Sequence, residues 1–410
     1  MGMNTKRWLN PKRVRAHAVL LATTLWTVYI WNLATPTLRD RNGNLKGTDF
    51  LHLYTLGTLA VERRGADLYD MNTQAAVAVA RVPDAAGIRY LPLYPPQVSL
   101  LFAPLAHLSY GWALASWWIA TSLIYGVCCY GVWRACPSLR AYGATVALLA
   151  AAFPAFFHLI PWGQTSAIAL ASFTALFFSL RSRREFVAGL AVGCLIFKPQ
   201  LGLAAAFLFV AMGAWKIVTG AMVSAAAQLS WGILYYGMGP VGEWLRTMAG
   251  VRHSLLLLEP RPYQTHCLRT FWAMMVPWPQ VSFALYLLSA GVVLGWTTAV
   301  WRRAGQPWSL RYPALLWATV LVSPHLTVYD LVILAPAFLL LADWLLAETT
   351  SPNQTMGNLF YFAYVLPLLG PLARWTHVQL SVVAMVLLLW MLWRSSKQGP
   401  GLPRPAEQEG

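Results

Sequence analysis

The chain has 410 residues, which at roughly 150 per domain would make two or three soluble domains, yet 58% of it is hydrophobic, 13% aromatic and only 11% charged. Soluble domains carry about 25% charge, so this composition cannot coat several water-exposed cores; it excludes a cytosolic enzyme, a disordered chain and a secreted disulfide scaffold, and fits an all-helical polytopic membrane protein. The 30 Lys+Arg against 14 Asp+Glu give a net charge of +16, dispersed through short loops beside apolar runs, which points to anionic lipid head groups and a phosphate-bearing ligand rather than to nucleic acid.

The first apolar run, Ala16 to Ala34, follows Lys6, Arg7, Lys12, Arg13 and Arg15. At about 19 residues it is long enough to cross a bilayer, and no small-residue cleavage site follows it. It is expected to be a retained anchor with the N-terminus in the cytoplasm. The polar stretch over residues 35–93 is then the first extracytoplasmic loop. Within it, Phe50, Leu53, Leu56, Leu59 and Ala60 recur at helical spacing until Gly65, which predicts short amphipathic helices lying on the membrane surface. Asp49 opens that run. It is either a helix N-cap, accepting from free backbone N–H groups, or a general base at the membrane surface. Downstream, Pro95-Pro96 fixes an extended backbone ahead of an apolar helix, with Tyr94 and Gln97 at its entrance.

Further spans are expected near Ser109–Trp133, Ala141–Ile160, Gly163–Leu180, Phe186–Lys198, Leu201–Ala214 and Ile217–Gly237, and then near Val281–Trp301, Tyr312–Ser323, Tyr329–Leu346, Leu359–Leu372 and Val378–Trp393. That makes about twelve transmembrane helices, some too short to cross alone unless they are half-helices lining a cavity. On this topology both termini are cytoplasmic, the short inner loops carry Arg181, Arg183, Arg184 and Lys216, and every acid between Asp40 and Asp84 lies outside. Residues 1–395 are expected to form one transmembrane domain, and residues 396–410, rich in Gly and Pro, a disordered tail.

Three polar inclusions fall at the outer ends of spans: Gly163-Gln164, Lys198-Pro199-Gln200, and Ser323-Pro324-His325 with Tyr329-Asp330. An ionisable group inside an apolar helix is costly and suggests a cavity. Lys198 either snorkels to the interface or meets the free backbone groups of a proline break to make a phosphate site. His325 and Asp330 either bind substrate or serve as a backbone-paired imidazole and a helix cap. The loop from Arg252-His253 through Arg261 to His266 and Arg269 adds outer cations. The five cysteines, Cys128, Cys129, Cys136, Cys194 and Cys267, form neither a disulfide framework nor a metal site. No Walker loop, dinucleotide turn, His-Glu-x-x-His or Gly-x-Ser-x-Gly motif is present.

The series Asp49-Phe50, Tyr54, Gly65 with Leu68-Tyr69-Asp70, Tyr94-Pro95-Pro96, Gly163-Gln164, Gly189 through Lys198-Pro199, and Ser323-Pro324-His325 with Tyr329-Asp330 resembles glycosyltransferase family 87. That family comprises polyprenyl-phosphate-mannose-dependent mannosyltransferases of the GT-C superfamily. The resemblance implies a GT-C-type fold in the cell membrane, with the active site on the extracytoplasmic side and no cofactor besides the lipid-linked donor. Its implied partners are a polyprenyl-phosphate-sugar donor, a glycolipid or glycan acceptor, and membrane lipids. Asp49 matches the family's general base, while Lys198, His325, Arg261, Gln164, Tyr94 and Asp330 are the candidate substrate-binding residues. Direct attack would invert the anomeric centre. A transporter or flippase of lipid-linked or anionic substrates is the alternative from another class; it calls for ionisable groups at mid-membrane and an internal repeat. A polyprenyl-linked polymerase or ligase is a nearer rival.

Overall fold

A computed structural model describes residues 10–251, 258–347 and 354–398. Arg252, His253, the basic residues Lys6 and Arg7, and the chain after residue 398 lie outside the described residues. Within them the secondary structure is helical, apart from isolated bridges at Arg39–Leu45 and Thr265–Thr327. Among the described residues six helices are long and apolar enough to cross a membrane: α1 (Pro11–Leu33), Tyr110–Arg134, Trp215–Tyr236, Pro279–Arg302, Val328–Ala347 and Gln354–Thr376. A seventh candidate is the pair Pro137–Ala151 and Pro154–Trp162, bent by 45° at its break. The span expected at Ala141–Ile160 is therefore two helices. Pro154 cannot donate an N–H to the preceding turn and instead opens the second one. Four apolar helices are shorter: Ser166–Arg181, Glu185–Phe197, Pro199–Ala211 and Leu380–Ser395. The chain is a multi-pass membrane protein.

The described residues fall into two compact units. One comprises Asn32–Gly126 and Leu159–Pro262. At its centre is α2 (Thr48–Val61), and here the structure corrects the expectation of a surface helix: every residue from Phe50 to Ala60 is buried. The run is mostly apolar on every side, and Thr55 and Thr58 return their hydroxyls to the carbonyls of Leu51 and Tyr54 at 2.8 and 3.0 Å, which leaves His52 as its one buried side chain with a ring nitrogen. The short helices expected after it are present as a 3-10 turn over Gly65–Tyr69 and α3 (Met71–Arg81), capped by Asp70. Helix α4 (Gln97–Phe102) follows, then α5 (Tyr110–Arg134). After the bent pair, whose halves are α6 (Gly143–Ala151) and α7 (Pro154–Trp162), the chain enters α8 (Ser166–Arg181).

Two half-helices follow, α9 (Glu185–Gly193) with its 3-10 extension Cys194–Phe197, and Pro199–Gly202 leading into α10 (Leu203–Ala211); they meet at Lys198. Helix α11 (Trp215–Tyr236) packs along α9 so closely that a Cβ on Gly189 would lie 2.1 Å from the Ile217 carbonyl oxygen. Small residues are what allow two backbones to approach this far. Helix α12 (Gly239–Gly250) is tied back by Trp244, whose indole donates to the Leu93 carbonyl at 3.1 Å.

The other unit comprises Met1–Trp31, Val127–His158 and Tyr263–Gly410. Trp308–Val322 is its central helix, with Tyr312 and Trp317 fully buried. Trp317 meets Phe338 edge-on at 5.9 Å, and Phe338 in turn meets Phe153 and Tyr364. Asp343 accepts from the backbone N–H groups of Ser138 and Leu139 at 2.6 and 3.2 Å. Ser396–Gln398, expected to begin the tail, still form a 3-10 turn, to which Gln306 donates at 3.1 Å.

Candidate active site

The start of α2 is held from several directions. Gly47, left-handed at φ +68°, occupies its N-cap position, and its N–H donates to the Pro161 carbonyl at 3.1 Å. The Tyr110 hydroxyl reaches the carbonyls of Lys46 and Gly47, both at 2.8 Å, and Tyr90 donates its hydroxyl to the Thr48 carbonyl. No side chain supplies a hydrogen bond at the N-cap itself. Asp49 lies in the first turn, half-buried, and its Oδ2 accepts from the Gln164 amide at 2.5 Å. The cap position belongs to Gly47. A helix N-terminus favours the ionised carboxylate.

Gln164 is placed by the turn that ends α7. Gly163 there has φ +67°, and a Cβ on it would sit 2.6 Å from that of Phe50. A side chain at this position would therefore be strained and would also push α2 away. Its carbonyl accepts from the Trp117 indole at 2.9 Å. The Gln164 carboxamide then works at both ends. Its nitrogen donates to Asp49, and its oxygen accepts from Lys198 Nζ at 3.3 Å and from the Tyr94 hydroxyl at 3.3 Å.

Lys198 stands at the break between the 3-10 turns Cys194–Phe197 and Pro199–Gly202, where Pro199 ends the regular ladder. Its side chain does not snorkel. It is buried, 7% exposed, and donates to Ser166 Oγ at 3.2 Å as well as to Gln164. A buried ammonium is tolerated only when hydrogen-bonded, and Ser166 and Gln164 meet that requirement. A carboxylate and an ammonium thus share one carboxamide, which holds both charges in place. Four of the residues singled out in the sequence, Asp49, Tyr94, Gln164 and Lys198, belong to this one network.

The remaining candidates have other surroundings. Arg261 is exposed, at the start of the short turn Pro262–Gln264. His325 and Asp330 belong to the second unit. His325 is half-buried, its carbonyl accepting from the Ser323 hydroxyl at 2.8 Å. Asp330 completes a capping box: its Oδ2 accepts from the backbone and hydroxyl of Thr327, both at 3.2 Å, as a helix cap would. Arg269 donates to the adjoining Pro324 carbonyl.

Sequence inspection missed Thr165, Ser166, Tyr90 and His52. Thr165 and Ser166 continue the polar run begun by Gln164, which was a usable signal; Thr165 Oγ1 lies 3.4 Å from the Tyr94 hydroxyl. His52 stacks parallel on Tyr90 at 4.8 Å and leans on Tyr94 at 5.7 Å. Burial lowers the His52 imidazole to about 4, offset to a degree by Gln74, so it is neutral at neutral pH. Burial, and secondarily the charge of Asp49, raises the Tyr90 phenol well above its ordinary value, which keeps the hydroxyl a donor.

Neither a curated protein nor a solved structure matches this sequence. The family model of glycosyltransferase family 87 matches residues 93–324, more than half of the chain. The match takes in Tyr94, Gln164, Lys198 and Arg261; it begins beyond Asp49 and ends one residue before His325. A transferase is therefore favoured over a transporter, and the chain belongs to glycosyltransferase family 87, a membrane enzyme that transfers glycosyl groups.

Proposed function

We propose that the protein moves a hexosyl group, specifically mannosyl, from a polyprenyl-phosphate-sugar donor to a glycolipid or glycan acceptor on the extracytoplasmic face, within a GT-C-type fold. Asp49 is the general base. Its carboxylate takes the proton of an acceptor hydroxyl as that oxygen bonds to the anomeric carbon; the carbon–oxygen bond to phosphate breaks, and its electron pair leaves with polyprenyl phosphate. The phosphate gains charge as it departs, and the Lys198 ammonium offsets it. Direct displacement inverts the centre, so a β-linked donor gives an α-linked product.

The observation that carries this reading is the bridge Asp49–Gln164–Lys198, which joins a proton acceptor and a cation through one carboxamide. Tyr94 and Ser166 fix the orientation of the bridge. A lipid-linked donor also accounts for the lack of any nucleotide-binding motif in the sequence. The test uses the full-length protein in lipid with polyprenyl-phosphate-linked radiolabelled mannose and a membrane lipid extract. Label should enter new products with wild type and fall by about a hundredfold or more with a folded Asp49→Asn, the range expected for loss of a positioned base. An Asp49→Asn protein with wild-type turnover assigns the base elsewhere.

A further inference from the structure

We propose that His52 is a positioning residue for the Asp49 site, an aromatic wedge that sets the distance between Tyr90 and Tyr94. This role rests on Asp49 acting as the base and Gln164 as its bridge to Lys198. His52 follows Asp49 by three residues on α2, so it occupies the next turn of the same helix. One face of its ring is stacked on Tyr90, the two ring planes 2° from parallel, and the ring is tilted 55° against Tyr94. Each tyrosine then uses its hydroxyl on a different half of the network. Tyr90 donates to the Thr48 carbonyl, beside Asp49; Tyr94 donates to Gln164 Oε1 and lies against Thr165 Oγ1. A single flat ring thereby fixes both the carboxylate and the carboxamide that bonds to it.

The polar atoms of the ring are not what is used. His52 is 5% exposed, and Gln74 is the polar side chain beside it, but the buried Nε2 of the ring and Gln74 Oε1 do not reach hydrogen-bond geometry. Leaving such atoms unsatisfied costs stability, so the site keeps a ring here for its shape. A histidine that carried protons would need a bonded path to the reacting groups.

Transfer by the full-length protein in lipid, with polyprenyl-phosphate-linked mannose, is compared for wild type, His52→Phe, His52→Ala, Tyr90→Phe and Asp49→Asn. His52→Phe keeps the stack and should stay within about threefold of wild-type kcat, whereas His52→Ala should lose about tenfold to a hundredfold in kcat with the donor KM little changed, as misplacement of a base does. Tyr90→Phe keeps the ring and loses the bond to Thr48, so it should lower kcat in the same way even where His52→Ala proves too unstable to assay. Amide hydrogen exchange over residues 47–51 is the readout independent of donor and acceptor: it should quicken about tenfold in His52→Ala and stay at the wild-type rate in His52→Phe. The wedge is overturned by a His52→Phe protein as slow as His52→Ala, by wild-type kcat in His52→Ala or Tyr90→Phe, or by unchanged exchange in His52→Ala. Wild-type turnover in Asp49→Asn removes instead the reading on which it rests, and an Asp49→Asn defect beside a fully active His52→Ala removes only the wedge.

Discussion

Gln164 holds Asp49 and Lys198 with opposite ends of one amide, so a side chain of its size that lacks either end loses one of the two bonds. Gln164→Leu keeps the volume and deletes both bonds. The buried Lys198 ammonium would retain its bond to Ser166, and the Asp49 carboxylate would lose a 2.5 Å donor. The expected result is a folded protein whose kcat falls by about a hundredfold, since the base and the cation both drift from their positions; steady-state transfer alongside thermal unfolding in detergent checks it, and near-wild-type kcat would show that the bridge is incidental. The sequence exposed these residues unevenly. Asp49 and Lys198 stand out because charge is scarce in so apolar a chain, and Gln164 because it follows a glycine at the end of a span. His52 gives no such sign, because a neutral ring inside an apolar helix reads like any other core position. That a glutamine should join residues more than a hundred positions apart depends on which helix ends meet, and periodicity does not specify this.

Among the elements, α9 and α11 show how closely the half-helix that ends at Lys198 is fixed. A Cβ on Gly189 would sit not only 2.1 Å from the Ile217 carbonyl oxygen but also 2.9 Å from Gly220 Cα, and one on Gly193 would lie 2.3 Å from the Ala221 carbonyl oxygen. Gln228 donates across the same contact to the Gly193 carbonyl at 3.2 Å. Gly189→Ala would therefore have to push the α9 and α11 backbones apart, destabilising by about 1–3 kcal/mol or more and lowering Tm by several degrees. Gly242→Ala, in α12, meets nothing within 4 Å and serves as the comparison, with Tm unchanged or slightly raised. A Gly189→Ala protein as stable as that one would mean the two helices can separate at no cost. Helix existence along this region was legible from the apolar runs and their punctuation. The placement of α2 was not: its apolar positions suggested one wet face, whereas Thr55 and Thr58 satisfy their hydroxyls within the helix and can be buried at little cost. The split at Pro154 escaped for a related reason, since Ala and Leu on both sides continue the hydropathy through the break.

At the scale of the molecule, the unit that holds the site has a consistent polarity. Asp49, Gln164 and Lys198 are hydrogen-bonded neighbours, so the start of α2, the start of α8 and the Lys198 break share one level. Helix α8 leads from that level to Arg181, Arg183 and Arg184, and α9 leads back from Glu185; at the far end Lys216, which opens α11, lies 4.0 Å from Glu185. The basic loops thus cluster at one end of these helices and the site at the other. Short basic loops stay in the cytoplasm, which predicts that the site faces outward. Ser182 and Ala86 are both exposed, the first among the arginines and the second in the loop that carries Asp49. In a Cys194→Ser background, which removes the exposed cysteine, a membrane-impermeant maleimide applied to intact cells should label Ala86→Cys and leave Ser182→Cys unlabelled until the membrane is opened. The opposite pattern would set Asp49 on the cytoplasmic side, where soluble nucleotide sugars are available. A lipid-linked donor would then lose its physical rationale, whereas outward labelling of Ala86→Cys leaves a membrane-borne sugar as the donor chemistry available to the site.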